Sequence, residues 1–178
     1  MIGILAIQGD FLEHEQVLDR LGLAHKRVKS LADTEGLSGF IIPGGESTVM
    51  DLFMTKCGLK DWLQKLPADF PVYGTCAGLI LLAHYGLIPV TVQRNAYGRQ
   101  SASFVANLQV ENLGELKGHF IRAPKVTEVG EDIEVLATHE GNPVLLRRGN
   151  VWASSFHPEL AGETALHRAI FQGEFGNS

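Results

Sequence analysis

The segment Gly74-Thr75-Cys76-Ala77-Gly78 limits what this chain can become more than any other. It follows the short apolar run Pro71-Val72-Tyr73 and leads straight into Leu79-Ile80-Leu81-Leu82. A turn that sharp, between a strand and a helix, pushes its central side chain outward, and glycine at each end lets the helix lie close to the sheet. An open α/β sheet is the architecture that holds such an elbow at a strand's carboxyl end. Cys76 then sits over a helix N-terminus, whose partial positive charge favours a thiolate.

The rest of the chain obeys the same grammar. Residues 2–7 form a continuous apolar run, as expected of a strand buried on both faces. Asp10 is placed to cap the helix that follows, whose apolar side is Phe11, Leu12, Val17, Leu18 and Leu21, and Gly22 ends it. Strands are expected over 24–28 and 39–42, the second running into a glycine turn. Ser47 or Thr48 opens a helix reaching Cys57-Gly58, and a shorter helix over 59–66 stops at Pro67. The order β-α-β-β-α-α-β-α predicts a three-layer, open, mainly parallel sheet with helices on both faces. Beyond Val90 the texture changes. Stretches at 104–106, 119–121, 133–136 and 144–146 predict an antiparallel extension, after which 151–156 returns a strand and 163–172 closes with a helix. No repeat, linker or low-complexity segment interrupts residues 1–178, so one domain is expected.

Bulk properties exclude several classes of partner. Net charge is −5, and no basic run interleaved with aromatics occurs, which argues against nucleic acid. No apolar stretch approaches the ~20 residues of a membrane helix, and the apolar start lacks a basic leader. Two cysteines, Cys57 and Cys76, make no disulfide framework in a chain of 178 residues. A cytoplasmic protein with reduced thiols is expected.

Two further motifs bear on Cys76. His157-Pro158-Glu159 ends a strand and supplies an imidazole with a carboxylate beside it. If Pro158 keeps this segment extended, His157 and Glu159 project to one side. Pro43-Gly44-Gly45-Glu46-Ser47 lies at another strand end, where its N–H groups can face a developing oxyanion. A phosphate there is disfavoured, because G-x-x-x-x-G-K is absent and Glu46 would repel the anion. Taken singly, each motif has a plainer reading: a core cysteine, a loop histidine before a solvated glutamate, an ordinary turn. Zinc held by Cys76, His157 and Glu159 would lack any closely spaced ligand pair such as C-x-x-C, and no metal is expected. Together the three motifs indicate a cysteine hydrolase of acyl or amide bonds, with the Gly45 and Ala77 amides as oxyanion donors. Cys57, at a helix end, has a structural role.

These motifs resemble the class I, triad-type glutamine amidotransferases. Longer segments narrow the likeness to the branch of glutaminase subunits that serve pyridoxal 5′-phosphate synthesis. They are residues 6–10 (A-I-Q-G-D), 43–48 (P-G-G-E-S-T), 74–80 (G-T-C-A-G-L-I), 93–100 (Q-R-N-A-Y-G-R-Q), 120–124 (F-I-R-A-P) and 155–160 (S-F-H-P-E-L). The resemblance runs from the first strand to the last helix and implies a flavodoxin-like sheet. It implies Cys76 as nucleophile, His157 as base and acid, and Glu159 as its orienting carboxylate. Gly45, Glu46, Ser47, Arg94, Ile121 and Arg122 match the positions that hold L-glutamine. Ammonia would pass to a separate synthase subunit in a hetero-oligomer, and this chain would carry no cofactor of its own. Gln8 and Gly9, at the end of the first strand, would lie on the partner-facing rim. The chain departs from the branch at residues 83–89, a segment shorter than expected. Two rival readings share the fold: a glutaminase subunit for another pathway, such as histidine biosynthesis, or a non-catalytic regulatory module.

Overall fold

The structure is a computed structural model and describes residues 1–94 and 103–173. The Asn95–Gln100 part of the arginine-rich motif lies outside the described residues. Five helices and eleven strands carry the described fold, with short 3-10 turns at Leu31–Thr34 and Glu159–Ala161. The first half runs β1 (Ile2–Leu5), α1 (Phe11–Arg20), β2 (His25–Val28), β3 (Gly39–Ile42), α2 (Ser47–Lys56), α3 (Leu59–Gln64), β4 (Val72–Thr75) and α4 (Ala77–His84). The second half runs β5 (Val90–Gln93), β6 (Ser103–Val110), β7 (Gly114–Ile121), β8 (Lys125–Val129), β9 (Glu134–His139), β10 (Asn142–Arg148), β11 (Val151–Ser154) and α5 (Ala165–Phe171).

Seven strands form the central sheet in the order β2-β1-β3-β4-β11-β10-β9. The first five are parallel, while β10 and β9 pair antiparallel at one edge. Side chains on these buried strands alternate between the two faces. Ile4, Ile41 and Tyr73 join Leu18 of α1 and Leu166 of α5 on one side. Leu5, Phe40, Ile42 and Val72 join Met50 of α2, Leu59 of α3 and Leu79 and Leu82 of α4 on the other. Hence the uninterrupted apolar runs of β1, β3 and β4: both faces of these strands are covered.

The expected antiparallel extension is narrower than the strand-like stretches imply. β9 and β10 do extend the sheet, but β6 and β7 pair only with each other, as do β5 and β8. The β6–β7 ribbon alternates exposed with buried or half-buried residues, which is the pattern of a ribbon with one face in solvent. It leans on the core through Leu108, Leu116 and Phe120. The short 83–89 segment is firmly tied: Tyr85 donates to Asp51 Oδ1 at 2.7 Å, and its carbonyl accepts from Gln64 Nε2 at 3.0 Å. No described helix is long and apolar enough to cross a membrane.

Candidate active site

Cys76 owes its position to backbone packing. A Cβ on Gly74 would meet the Gly78 backbone at 2.7 Å, and one on Gly78 would collide with the Ile42 carbonyl oxygen. Glycine at both places lets α4 lie directly against the ends of β3 and β4. Cys76 takes the N-cap position of α4 with φ 54° and ψ −101°, a positive-φ conformation that an L-residue adopts under strain. Its amide donates to Ser154 O at 2.8 Å, which fixes the turn to β11. The sulfur, nearly buried, lies 3.7 Å from Ile121 O.

His157 is delivered by the end of β11. Tyr73 Oη and Ser154 Oγ lie 2.8 Å apart, and Ser154 Oγ donates to Phe156 O at 2.8 Å, so the chain after β11 is held from beneath. His157 then exchanges two backbone hydrogen bonds with His119 of β7. The His157-Pro158-Glu159 segment is not extended. Pro158 has φ −71° and ψ −29°, and Glu159 begins a 3-10 turn. The carboxylate therefore curls back and accepts from His157 Nδ1 at 2.6 Å. Expected proximity is present, but a helical bend produces it.

The glycine turn after β3 is arranged by side chains and by the Gly9–Asp10 backbone. Gln8 Oε1 accepts from the Glu46 amide at 2.6 Å, and the Asp10 amide donates to Gly44 O at 3.3 Å. Gly44 is needed because a Cβ there would strike His157 Cε1, and Gly9, at φ +85°, presses against the Gly44 carbonyl. Glu46 caps α2, its carboxylate accepting from Thr48 N at 3.2 Å and Val49 N at 2.8 Å. Those two amides hold its carboxyl below the usual range despite some desolvation. Ser47 is the first helical residue, buried beside the cap. Arg94 donates to Thr48 Oγ1 at 3.1 Å.

A cavity of about 500 Å³ opens over these elements. Gly9, Gly45, Glu46, Ser47, Cys76, Ala77, Arg94, Ile121, Arg122 and His157 all line it. Of the remaining expected residues, Glu159 lies fully buried behind His157, and Gln8 props the glycine turn. Arg122, at φ 45°, turns sharply just after β7. The cavity thus gathers a thiol, an imidazole, two guanidiniums and two carboxylates, Glu46 and Asp10, a set suited to a zwitterionic amino acid.

One functional group escapes a reading of the sequence. Asp10 occupies the N-cap position of α1 but makes no side-chain cap hydrogen bond. Its Oδ2 instead lies 3.1 Å from His157 Nδ1, on the cavity wall. Its place at the carboxyl end of β1, where open sheets gather ligands, is the signal that points there. Behind Glu159 lies a second unexpected feature, a buried imidazole pair. His14 Nδ1 is 2.8 Å from His167 Nε2, and His14 Nε2 is 3.3 Å from Thr75 Oγ1 and 3.6 Å from Glu159 Oε1.

Burial and charge set the protonation states. Burial alone would lower His157, but hydrogen bonds with Asp10, Cys76 and Glu159 outweigh it and push the ring up to about 12. Burial pushes Glu159 well above the carboxylate range, helped by its hydrogen bond with Asp10. Burial would also raise Asp10, but hydrogen bonds with Glu159 and His157 hold its carboxyl below the usual range. The two acids therefore share a proton, and the more exposed Asp10 keeps the charge. Burial lowers His14 to about 4 and depresses His167 as well, so both rings are neutral near pH 7.

Asp10, His157 and Glu159 place donor atoms within 4.8 Å of one another, close enough to hold an ion. Both carboxyl groups, however, address the same ring nitrogen of His157, which is committed to a proton between them. The arrangement is that of an acid–base cluster.

Known proteins share this sequence and fold. The model of the SNO glutamine amidotransferase family matches residues 4–175. A pyridoxal 5′-phosphate synthase subunit PdxT from Pseudothermotoga lettingae is 48% identical, over 96% of this chain and 94% of the relative. A protein of that name from Thermus thermophilus is 44% identical, over 97% and 96%. A crystal structure of a glutamine amidotransferase superposes with a TM-score of 0.92 at 44% identity, covering 96% of this chain and 97% of that one. PurLQS from Thermotoga maritima shares the fold at a TM-score of 0.66 and 16% identity, with 97% of each chain covered.

Proposed function

The chain belongs to the SNO glutamine amidotransferase family, and from that membership we propose that it is the glutaminase subunit of a pyridoxal 5′-phosphate synthase. It hydrolyses L-glutamine to L-glutamate and ammonia as one domain, and a synthase subunit in the same hetero-oligomer consumes the ammonia. The observation that carries this reading is a strained, cavity-facing thiol whose neighbouring imidazole is backed by a carboxyl at 2.6 Å.

With the thiol proton held on His157, the Cys76 sulfur attacks the side-chain amide of glutamine. The amides of Gly45 and Ala77 receive the developing oxyanion; Ala77, first residue of α4, has no partner within its own helix. His157 then protonates the leaving ammonia and afterwards activates water against the thioester. Acylation removes the thiol hydrogen bond that helps hold the ring's proton, so His157 releases it more readily at the step that needs it. Arg94 and Arg122 neutralise the substrate carboxylate, while the Glu46 and Ser47 segment faces its ammonium. The product pyridoxal 5′-phosphate belongs to the partner, and this subunit needs no cofactor of its own.

Gln8 and Gly9 form the rim the synthase touches. Because Gln8 holds the Glu46 amide, contact there resets the Gly44–Gly45 turn, and the free subunit is the slower glutaminase. Ammonia release, measured with and without the synthase subunit, checks this: a higher kcat/KM in the complex is expected, and equal values would contradict activation by docking.

A further inference from the structure

One imidazole nitrogen, His157 Nδ1, faces two carboxyl groups, Glu159 Oε1 at 2.6 Å and Asp10 Oδ2 at 3.1 Å. A single N–H makes one good hydrogen bond, so the two acceptors divide the work. They differ in setting. Glu159 is sealed behind the ring, whereas Asp10 lies on the cavity wall, in the turn that carries the Gln8–Gly9 rim. Asp10 is also tied to the glycine turn through its own amide and Gly44 O. From this geometry we infer that Asp10 is a positioning residue for the base, a second carboxylate that holds the His157 proton and links the ring to the oxyanion turn. The inference rests on the reading of His157 as that base.

Burial decides how two adjacent acids divide one proton: the sealed one takes it and the more exposed one keeps its charge. Asp10 is then the anion opposite the His157 imidazolium. Other groups around the ring complete the balance. Cys76 approaches from the N-terminus of α4, Glu159 from the turn after β11, and neutral His14 from α1, backed by neutral His167 of α5. His119 of β7 meets His157 through its backbone. Glu46, Arg94 and Arg122 stand on the remaining cavity walls. Of the carboxylates on the cavity wall, Asp10 is the one in contact with the His157 ring.

The test is the titration of His157, followed by imidazole nitrogen NMR in the full chain and in Asp10→Asn, which keeps the shape and removes the charge. Loss of an adjacent anion makes the imidazolium easier to deprotonate, so the His157 pKa falls, by about 1–3 units. The alkaline limb of kcat/KM for ammonia release should move in the same direction, and Asp10→Ala should repeat the shift. A merely structural role would lower activity without moving the titration. An unchanged His157 titration in both variants would overturn the role of Asp10 while leaving the triad standing. Ammonia release by His157→Asn tests the base assignment separately: near-normal activity there would remove the reading on which this inference depends.

Discussion

Two neighbouring strand ends frame the cavity, and they are held by opposite means. At the end of β4 the elbow is wedged between backbones: Gly74 against Gly78, and Gly78 against the Ile42 carbonyl. At the end of β3 Gly44 is tied to the Gly9–Asp10 backbone, but the Gly45–Glu46 half of the turn is held by side chains, with Gln8 on the Glu46 amide and Met50 Sδ beside Gly45. Packed backbone has nowhere to move, whereas side-chain hydrogen bonds can be exchanged for a partner's. On the proposed function, the nucleophile is therefore a fixed point and the Gly45–Glu46 side of the oxyanion turn an adjustable one.

The contrast breaks most visibly at its rigid end. Gly78→Ala drives a Cβ into a backbone carbonyl, so a loss of about 3 kcal/mol is expected, with a Tm lower by about 6–12 °C. Thermal unfolding at an unchanged Tm would mean that α4 does not depend on that close approach. Glu159→Ala, which removes the acceptor of His157 Nδ1, sharpens the account of the base lying between the two ends. It should lower kcat about 100-fold with little change in KM, since it disturbs His157 and touches no substrate. Arg94→Ala should do the reverse, raising KM about tenfold with kcat nearly kept. Steady-state kinetics with the two patterns exchanged would overturn both roles. The smallest effect belongs to the adjustable end. A Cβ on Gly45 meets Met50 Sδ at 3.0 Å and Gln8 Oε1 at 3.1 Å, the far ends of flexible side chains, so Gly45→Ala should cost under about 1 kcal/mol. A loss as large as that of Gly78→Ala, by the same thermal measurement, would erase the distinction.

Much of this arrangement is legible in the sequence because it is local. Apolar runs such as 39–42 and 72–75 are strands since both faces are covered, and the glycines around Cys76 announce the elbow directly. What is not legible depends on distant partners. Asp10 has the sequence position of a helix cap, yet its side chain goes to a histidine 147 residues away, a contact that only the return of β11 beside β4 creates. Glu46, assigned by resemblance to the substrate, also closes the N-terminus of α2, a task more often given to shorter side chains. Proline at 158 suggests an extended segment, but its fixed φ serves a helical bend equally well. The ribbons escape notice for a similar reason: alternation marks β6 and β7 as strands without saying which sheet they join.

The central claim is that Cys76, alone of the two thiols, is a fixed nucleophile facing the proposed glutamine cavity. Both cysteines are free, and Cys57 is more open to solvent than Cys76. Exposure alone would therefore favour Cys57. Mass spectrometry after treatment of the chain, with its synthase subunit present, by a glutamine-like electrophile gives the most direct answer. One adduct on Cys76, blocked by excess L-glutamine and absent from Cys76→Ala, is the predicted result; labelling of Cys57, or an adduct that persists in Cys76→Ala, would contradict the account.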